Sequence, residues 1–275
     1  MVKYCIFTGS FLKLIILKGK KMERQELLFY NEYEKFYTMS KSSEVFPEFC
    51  KKAFGEDFSQ DGFSDVQQID RILEYLPNKE EIHILDIGCG NGKMAGYLQQ
   101  KTAAYIHGFD YSWNAIKTAK DLYPVKSDFK RGIIGEISYP GSSFDMVISM
   151  DSIYFAKDMV SFIGQIWGWL RRGGIFFCGY QEGDVMLKTE DVNSTELAKA
   201  LRKNGIVYKV IDITGECYEL LKKKREAAIS LQEDFYKAGE RNWYDMLICQ
   251  TECACKPFEE FCKEMARYIF IAEKT

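Results

Sequence analysis

Ile84-Leu85-Asp86-Ile87-Gly88-Cys89-Gly90-Asn91-Gly92 decides the fold of this 275-residue chain. Ile82, Ile84, Leu85 and Ile87 form an apolar run of strand length, and Lys93 to Gln100 reads as a helix that opens where the glycines stop. Strand, glycine turn and helix start together predict a ligand-binding loop. Glycines permit positive φ and close approach of a ligand to the backbone, and the first N–H groups of a helix face whatever is bound. A turn tight for steric reasons alone would carry the same glycines. The acid ahead of them narrows the choice. Asp86 stands two residues before Gly88, giving Asp-x-Gly-x-Gly-x-Gly rather than the Gly-x-Gly-x-x-Gly of nicotinamide-binding folds. A carboxylate there repels a pyrophosphate and suits a ligand that carries an ammonium or sulfonium.

Working outward, Ala104 to Asp110 is a second strand that ends in an acid, twenty residues beyond Gly90. In nucleotide-binding α/β units an acid at this place bonds the ribose hydroxyls, because the first two strand ends lie side by side. Its other use would be to cap the next helix, but Ser112 ahead of Trp113 to Lys120 can serve there.

On these residues the chain resembles the class I S-adenosylmethionine-dependent methyltransferases of the small-molecule type. Asp86 to Gly92 is similar to the family's first motif. Gly108-Phe109-Asp110-Tyr111-Ser112 with Ala115, Ile116 and Ala119 is similar to the second. Phe144-Asp145 enters a fourth strand as the family does, and Leu170-Arg171-Arg172-Gly173-Gly174 is its usual turn before a fifth, Ile175 to Gly179. The resemblance implies an α/β fold: a Rossmann-like, mostly parallel seven-stranded sheet with its last strand antiparallel, flanked by helices. An N-terminal helical cap and a helical insertion before the last strand complete it.

S-adenosylmethionine is the implied cofactor, with Asp86, Gly88, Cys89, Gly90, Asn91, Gly92, Asp110, Tyr111 and Met150 as binding residues. The family also places an acid after the third strand, against adenine. With that strand at Phe129 to Ile134, Gly135 stands at the position and Glu136 beside it, so Glu136 or a backbone group serves, with Asp128 a lesser candidate.

Methyl transfer needs an acceptor lone pair held in line and water excluded, not a powerful base. Asp151 and Tyr154, just past the fourth strand at the carboxyl edge of the sheet, are the catalytic candidates. Asp151 could hold or deprotonate an acceptor amine and Tyr154 orient it; alternatively both cap and pack the next helix. Tyr180, Gln181 and Glu182 rank behind them. Phe29, Tyr30, Tyr33, Phe36 and Tyr37 crowd a helix-compatible stretch from Glu23. They read as a buried stripe or as a lid in which Tyr33 and Tyr37, four apart, offer rings to a sulfonium or ammonium.

Residues 1–21 read as an upstream leader, with Met22 the natural start, and 22–275 as one methyltransferase domain. Its parts are a helical cap (22–77), a cofactor-binding core (78–214), a helical substrate-side insertion (215–265) and the last strand (266–275). Composition then excludes other functions. With 37 basic and 40 acidic residues well mixed and a net charge of -3, no basic face for nucleic acid is expected. Phe11 to Leu17 is too short to span a bilayer, and nine cysteines without an export signal suggest free thiols in the cytoplasm.

Cys249, Cys253, Cys255 and Cys262 lack paired Cys-x-x-Cys units and a nearby histidine, so no metal is expected. His83 and His107 are the two histidines, both in strands, which disfavours histidine-based hydrolysis. The expected activity is methyl transfer to a small acceptor, with an amine favoured. A non-catalytic S-adenosylmethionine binder and a nicotinamide oxidoreductase are the alternatives. Neither the atom methylated nor the oligomeric state follows from the sequence.

Overall fold

A computed structural model describes residues 30–275. The leader at 1–21 and the expected helix start from Glu23 to Phe29 lie outside the described residues. The strands are β1 (His83–Ile87), β2 (Tyr105–Asp110), β3 (Ser127–Arg131), β4 (Phe144–Met150), β5 (Leu170–Glu182), β6 (Lys209–Asp212) and β7 (Ala266–Glu273). The helices are α1 (Tyr30–Ser42), α2 (Phe46–Phe54), α3 (Val66–Leu73), α4 (Lys93–Thr102), α5 (Trp113–Leu122), α6 (Met159–Trp169), α7 (Glu196–Lys203), α8 (Thr214–Ser230), α9 (Gln232–Lys237), α10 (Arg241–Gln250) and α11 (Phe258–Glu264).

The strands form one seven-stranded sheet in the order β3-β2-β1-β4-β5-β7-β6. β1 pairs in parallel with β2 and β4, β2 with β3 and β4 with β5, while β7 runs antiparallel to β6. β4 is buried at every residue, as befits a central parallel strand covered on both faces. Asp145 anchors its start: the carboxylate meets Lys79 Nζ at 2.5 Å and Arg171 NH1 at 2.7 Å, and accepts the His83 N–H at 2.9 Å.

Four local expectations shift. β3 begins and ends earlier than Phe129–Ile134, because the chain turns at Ile133, whose carbonyl accepts the N–H groups of Glu136 and Ile137. The expected turn at Arg171 to Gly174 lies inside β5 as an irregularity: Phe144 pairs with Leu170 but Met146 with Ile175, with Gly173 at φ +75°. α7 is capped by Thr195, whose hydroxyl accepts the Ala198 N–H at 3.1 Å, not by Asn193. β6 starts at Lys209 rather than Gly205, leaving Val207 exposed.

The chain divides into two compact units, each built on its own core. The first comprises residues 66–180, 189–212 and 268–275 and holds nearly all of the sheet. The second gathers the described residues up to Asp65, residues 181–188 and residues 213–267. The early helices and the late insertion, far apart in sequence, are therefore partners. Phe46 of α2 stacks on Trp243 of α10 at 3.9 Å between ring centroids, and Phe36 of α1 meets both rings edge-on at 5.7 and 5.4 Å. Such ring pairs add about 1 kcal/mol each beyond the area they bury. The Ser43 hydroxyl donates to Glu240 and caps α2 by accepting the Phe46 N–H. Among the described residues no helix is long and apolar enough to cross a membrane.

In the first unit His83 Nδ1 and His107 Nε2 lie 3.1 Å apart, and the His107 ring packs edge-on against Phe144. Burial, and next the neighbouring His83, lower the His107 pKa from 6.5 to about 4. As pH falls, the unfolded chain takes up this proton first, so stability drains away between pH 6.5 and about 4. His107→Phe should flatten that part of the decline in thermal melts; an unchanged slope would contradict the assignment.

Candidate cofactor and acceptor site

The glycine turn leaves β1 at Ile87 and enters α4 at Lys93. Gly88, Gly90 and Gly92 all have positive φ, at +71°, +51° and +76°. At Gly88 the need is double: a Cβ there would lie 2.5 Å from the Ser152 Cβ, so any side chain would meet both backbone strain and a clash. Ser152 holds this position by donating to the Ile87 carbonyl at 2.5 Å while its oxygen pairs with Ser149 Oγ at 2.8 Å.

The turn's N–H groups do not point outward as expected. Gly88 and Cys89 both donate to the Phe109 carbonyl at 2.9 and 3.1 Å, Gly90 donates to Asp110 Oδ2 at 3.1 Å and Gly92 to the Cys89 carbonyl at 3.0 Å. Lys93 N–H is taken by Asn91 Oδ1 at 3.1 Å. A phosphate cradle requires these donors free. Here Gly88, Cys89 and Gly90 bind the loop to β2 and the other two donors close it on itself, leaving carboxylates as its characteristic groups, which argues against a pyrophosphate and hence against a nicotinamide dinucleotide.

Asp86 is the most demanding of them. It is 1% exposed, and neither carboxylate oxygen has a hydrogen-bond partner. Burial, and then the charge of Asp110, raise its pKa well above the ordinary carboxylate range. Buried polar atoms without partners are rare in folded proteins, so a carboxylate in this state suits a cationic ligand group. Asp110, also buried, accepts from Gly90 N through Oδ2 and from Ser112 N through Oδ1 at 2.8 Å. Ser112 caps α5 through Ala115 N–H, leaving Asp110 unneeded for that purpose. Cys89 is a buried thiol, its pKa pushed up by burial and by Asp86 and Asp110, so it packs rather than reacts.

Asp151 follows β4 with φ +61°, a left-handed conformation that costs an aspartate on the order of 1 kcal/mol. Its N–H donates to the Gly179 carbonyl at 3.3 Å. It does not cap the next helix; Asp158 does, through Ser161 N–H at 3.0 Å. Tyr154 lies in a 3₁₀ turn (Ile153–Phe155), its ring edge-on to Phe155 at 5.1 Å and to Tyr180 at 6.0 Å. Met150 is the buried last residue of β4, and Tyr111 follows β2, its carbonyl accepting from Arg131 Nε at 3.1 Å. Glu136 sits exposed in the turn after β3, five residues past Arg131.

Tyr33 and Tyr37 belong to the helical unit, stacked with centroids 6.4 Å apart, while the buried ring of that helix is Phe36. Tyr180, Gln181 and Glu182, expected after β5, are instead its last, fully buried residues. Ser149 and Ser152 went unremarked in the sequence, where nothing marks a small hydroxyl as the brace of a distant glycine. Cys253, Cys255 and Cys262 carry free thiols, and among the described residues no group of three or more His, Cys, Asp or Glu is arranged to hold a metal.

Residues 85–178 match the methyltransferase domain family. The chain is 28% identical over 182 residues to ubiquinone biosynthesis O-methyltransferase of Methylobacterium sp. (strain 4-46), covering 58% of this chain and 72% of that one. With phosphoethanolamine N-methyltransferase 1 of Zea mays it shares 24% identity over 214 residues, 72% of this chain but 42% of the relative. Its fold is similar to that of Haemonchus contortus phosphoethanolamine N-methyltransferase 2 in complex with S-adenosyl-L-methionine, with a TM-score of 0.70, 22% identity and coverage of 88% of this chain and 60% of that one. The chain thus spans less than half the length of the maize protein. Residues 85–178 thus match a methyltransferase domain, and the sheet that carries them is similar in fold to that of an S-adenosylmethionine-bound N-methyltransferase.

Proposed function

We propose that the chain transfers the methyl group of S-adenosylmethionine to the nitrogen of a small amine. The observation that carries the reading is Asp86, a buried carboxylate with no partner of its own and a cation-seeking role left open. Bound S-adenosylmethionine supplies a methyl already activated by its positive sulfur. The rest falls to the chain's residues. Asp86 compensates the cofactor's ammonium. Gly88, Cys89, Gly90, Asn91 and Gly92 let it lie close against the backbone. Asp110 accepts the ribose hydroxyls, with Tyr111 and Met150 beside it and Glu136, or a backbone group near it, toward adenine.

Asp151 holds the acceptor's ammonium form and takes its proton, freeing the lone pair, while Tyr154 orients it. The strained backbone at Asp151 supports a role there, since such strain persists where function maintains it. The N-methyltransferase names of the maize and Haemonchus relatives support nitrogen as the acceptor atom.

Methyl transfer from labelled S-adenosylmethionine should be seen with ethanolamine or phosphoethanolamine and not with a phenol; transfer to the phenol alone would overturn the amine assignment. Asp151→Asn should lower kcat on the amine by about a hundredfold, within the range for lost general-base help, with cofactor affinity unchanged. Asp110→Ala should weaken S-adenosylhomocysteine at least about tenfold in calorimetry, as the loss of charge-assisted hydrogen bonds predicts. For Asp86 the sign differs. Its folded-state pKa is raised, so ionising it costs stability as pH climbs above the ordinary carboxylate range, and the cost vanishes below that range. Asp86→Asn should therefore raise the Tm of the unliganded protein at neutral pH while weakening S-adenosylhomocysteine; a lowered Tm would refute the orphaned-charge account.

A further inference from the structure

The carboxyl edge of the sheet unit opens between β1 and β4, and one hydroxyl spans the opening. The β1–β4 register ends at the pair Asp86 and Ile148. One residue past it, the Ile87 carbonyl accepts the Ser152 hydroxyl at 2.5 Å. A serine hydroxyl has a single hydrogen, and Ser152 gives it to a carbonyl, which cannot donate in return. The 2.8 Å contact between Ser149 Oγ and Ser152 Oγ must therefore be carried by the Ser149 hydrogen. The result is a directed chain from Ser149 to Ser152 to Ile87. Both serines are buried, at 0% and 7% exposure, where a hydroxyl that lost its partner would cost free energy.

The chain of hydroxyls has no slack. A Cβ at Gly88 would come within 2.5 Å of the Ser152 Cβ and 2.7 Å of its Oγ, so turn and serine are packed backbone against side chain. Asp151, immediately before Ser152, is held in left-handed backbone at φ +61°. One lip of the opening thus carries the Gly88 turn and the other carries Asp151, and both lie within residues 66–180 of the sheet unit.

We propose that Ser152, oriented by Ser149, is a positioning residue for methyl transfer that sets the separation between the Gly88 turn and Asp151. The proposal rests on the reading above, which puts the methyl donor at the first lip and the acceptor at the second. In-line transfer depends steeply on that separation, since a misplacement of about 1 Å can cost about a hundredfold in rate. Neither hydroxyl has to touch a ligand, so each ligand alone should bind almost as well without the tie.

A double-mutant cycle on the full chain tests this, with kcat and KM measured for the methylated amine and S-adenosylhomocysteine affinity measured by calorimetry. Ser152→Ala should lower kcat by about tenfold or more, while KM and S-adenosylhomocysteine affinity change by less than about twofold. In an Asp151→Asn background the same substitution should cost less than about twofold in kcat, because a residue that acts through Asp151 has little left to position. A serine that only supports the fold would give the same factor in both backgrounds. Unchanged kcat in Ser152→Ala, or an equal loss in the Asp151→Asn chain, would overturn the proposal. Should Ser152→Ala fail to fold, Ser149→Ala takes its place in the cycle, since it leaves the bond to Ile87 intact. Its expected loss is about threefold, the scale of one hydrogen bond, and no loss or an equal loss in both backgrounds overturns the proposal. A chain that methylates the phenol but not the amine overturns the amine reading instead, and the cycle run on the phenol then decides Ser152 by the same outcomes. Transfer to neither overturns both.

Discussion

A carboxylate buried under a glycine turn without a hydrogen-bond partner is the constraint on which the rest of this structure depends. Asp86 sits on β1, paired on one side with Gly108 of β2 and on the other with Ile148 of β4. The centre of a parallel sheet is the most water-free place the fold offers, and an ionised group there raises its own energy and that of Asp110 beside it. The chain accepts that destabilisation where ligands of open α/β sheets bind. A site whose two acids repel each other when empty gains more from a cation than one already neutralised.

The backbone around it is arranged to keep the charge uncompensated. N–H groups that could have turned toward Asp86 are bound to Phe109, Asp110 and Cys89. Ser152 fills the space a side chain at Gly88 would need and grips the Ile87 carbonyl, so the loop after β4 and the loop after β1 move as one piece. Asp151, forced into left-handed backbone immediately before that serine, is placed by the same brace. The glycine turn and Asp151 thus share one support in the sheet unit.

Much of this was legible in the sequence because it depends on local pattern. Alternating apolar runs ending in acids and glycines give away β1, β2 and β4 and the residues Asp86 and Asp110, and the caps at Ser112 and the strand entry at Asp145 stand as read. What escaped depends on partners remote in sequence. The direction of the turn's N–H groups is set by Phe109, twenty-one residues past Gly88. The short β3 reflects a turn at Ile133 that leaves Glu136 in solvent. The pairing of α1 and α2 with α10 rests on Trp243 fitting between Phe36 and Phe46, which no local periodicity announces. Lys224 is likewise one lysine in a charged run until the helix turns it inward.

The central claim is that Asp86 remains unpaired for the cofactor's ammonium, and one comparison isolates that contact: the affinity of S-adenosylhomocysteine against that of 5′-methylthioadenosine, which keeps adenine and ribose but lacks the amino-acid end. In calorimetry at neutral pH the wild-type chain should prefer S-adenosylhomocysteine by at least about tenfold, as expected for a charge-assisted contact in a buried site, and Asp86→Asn should reduce that preference severalfold or more. Equal binding of the two ligands by the wild type, or a preference untouched by Asp86→Asn, would contradict the account.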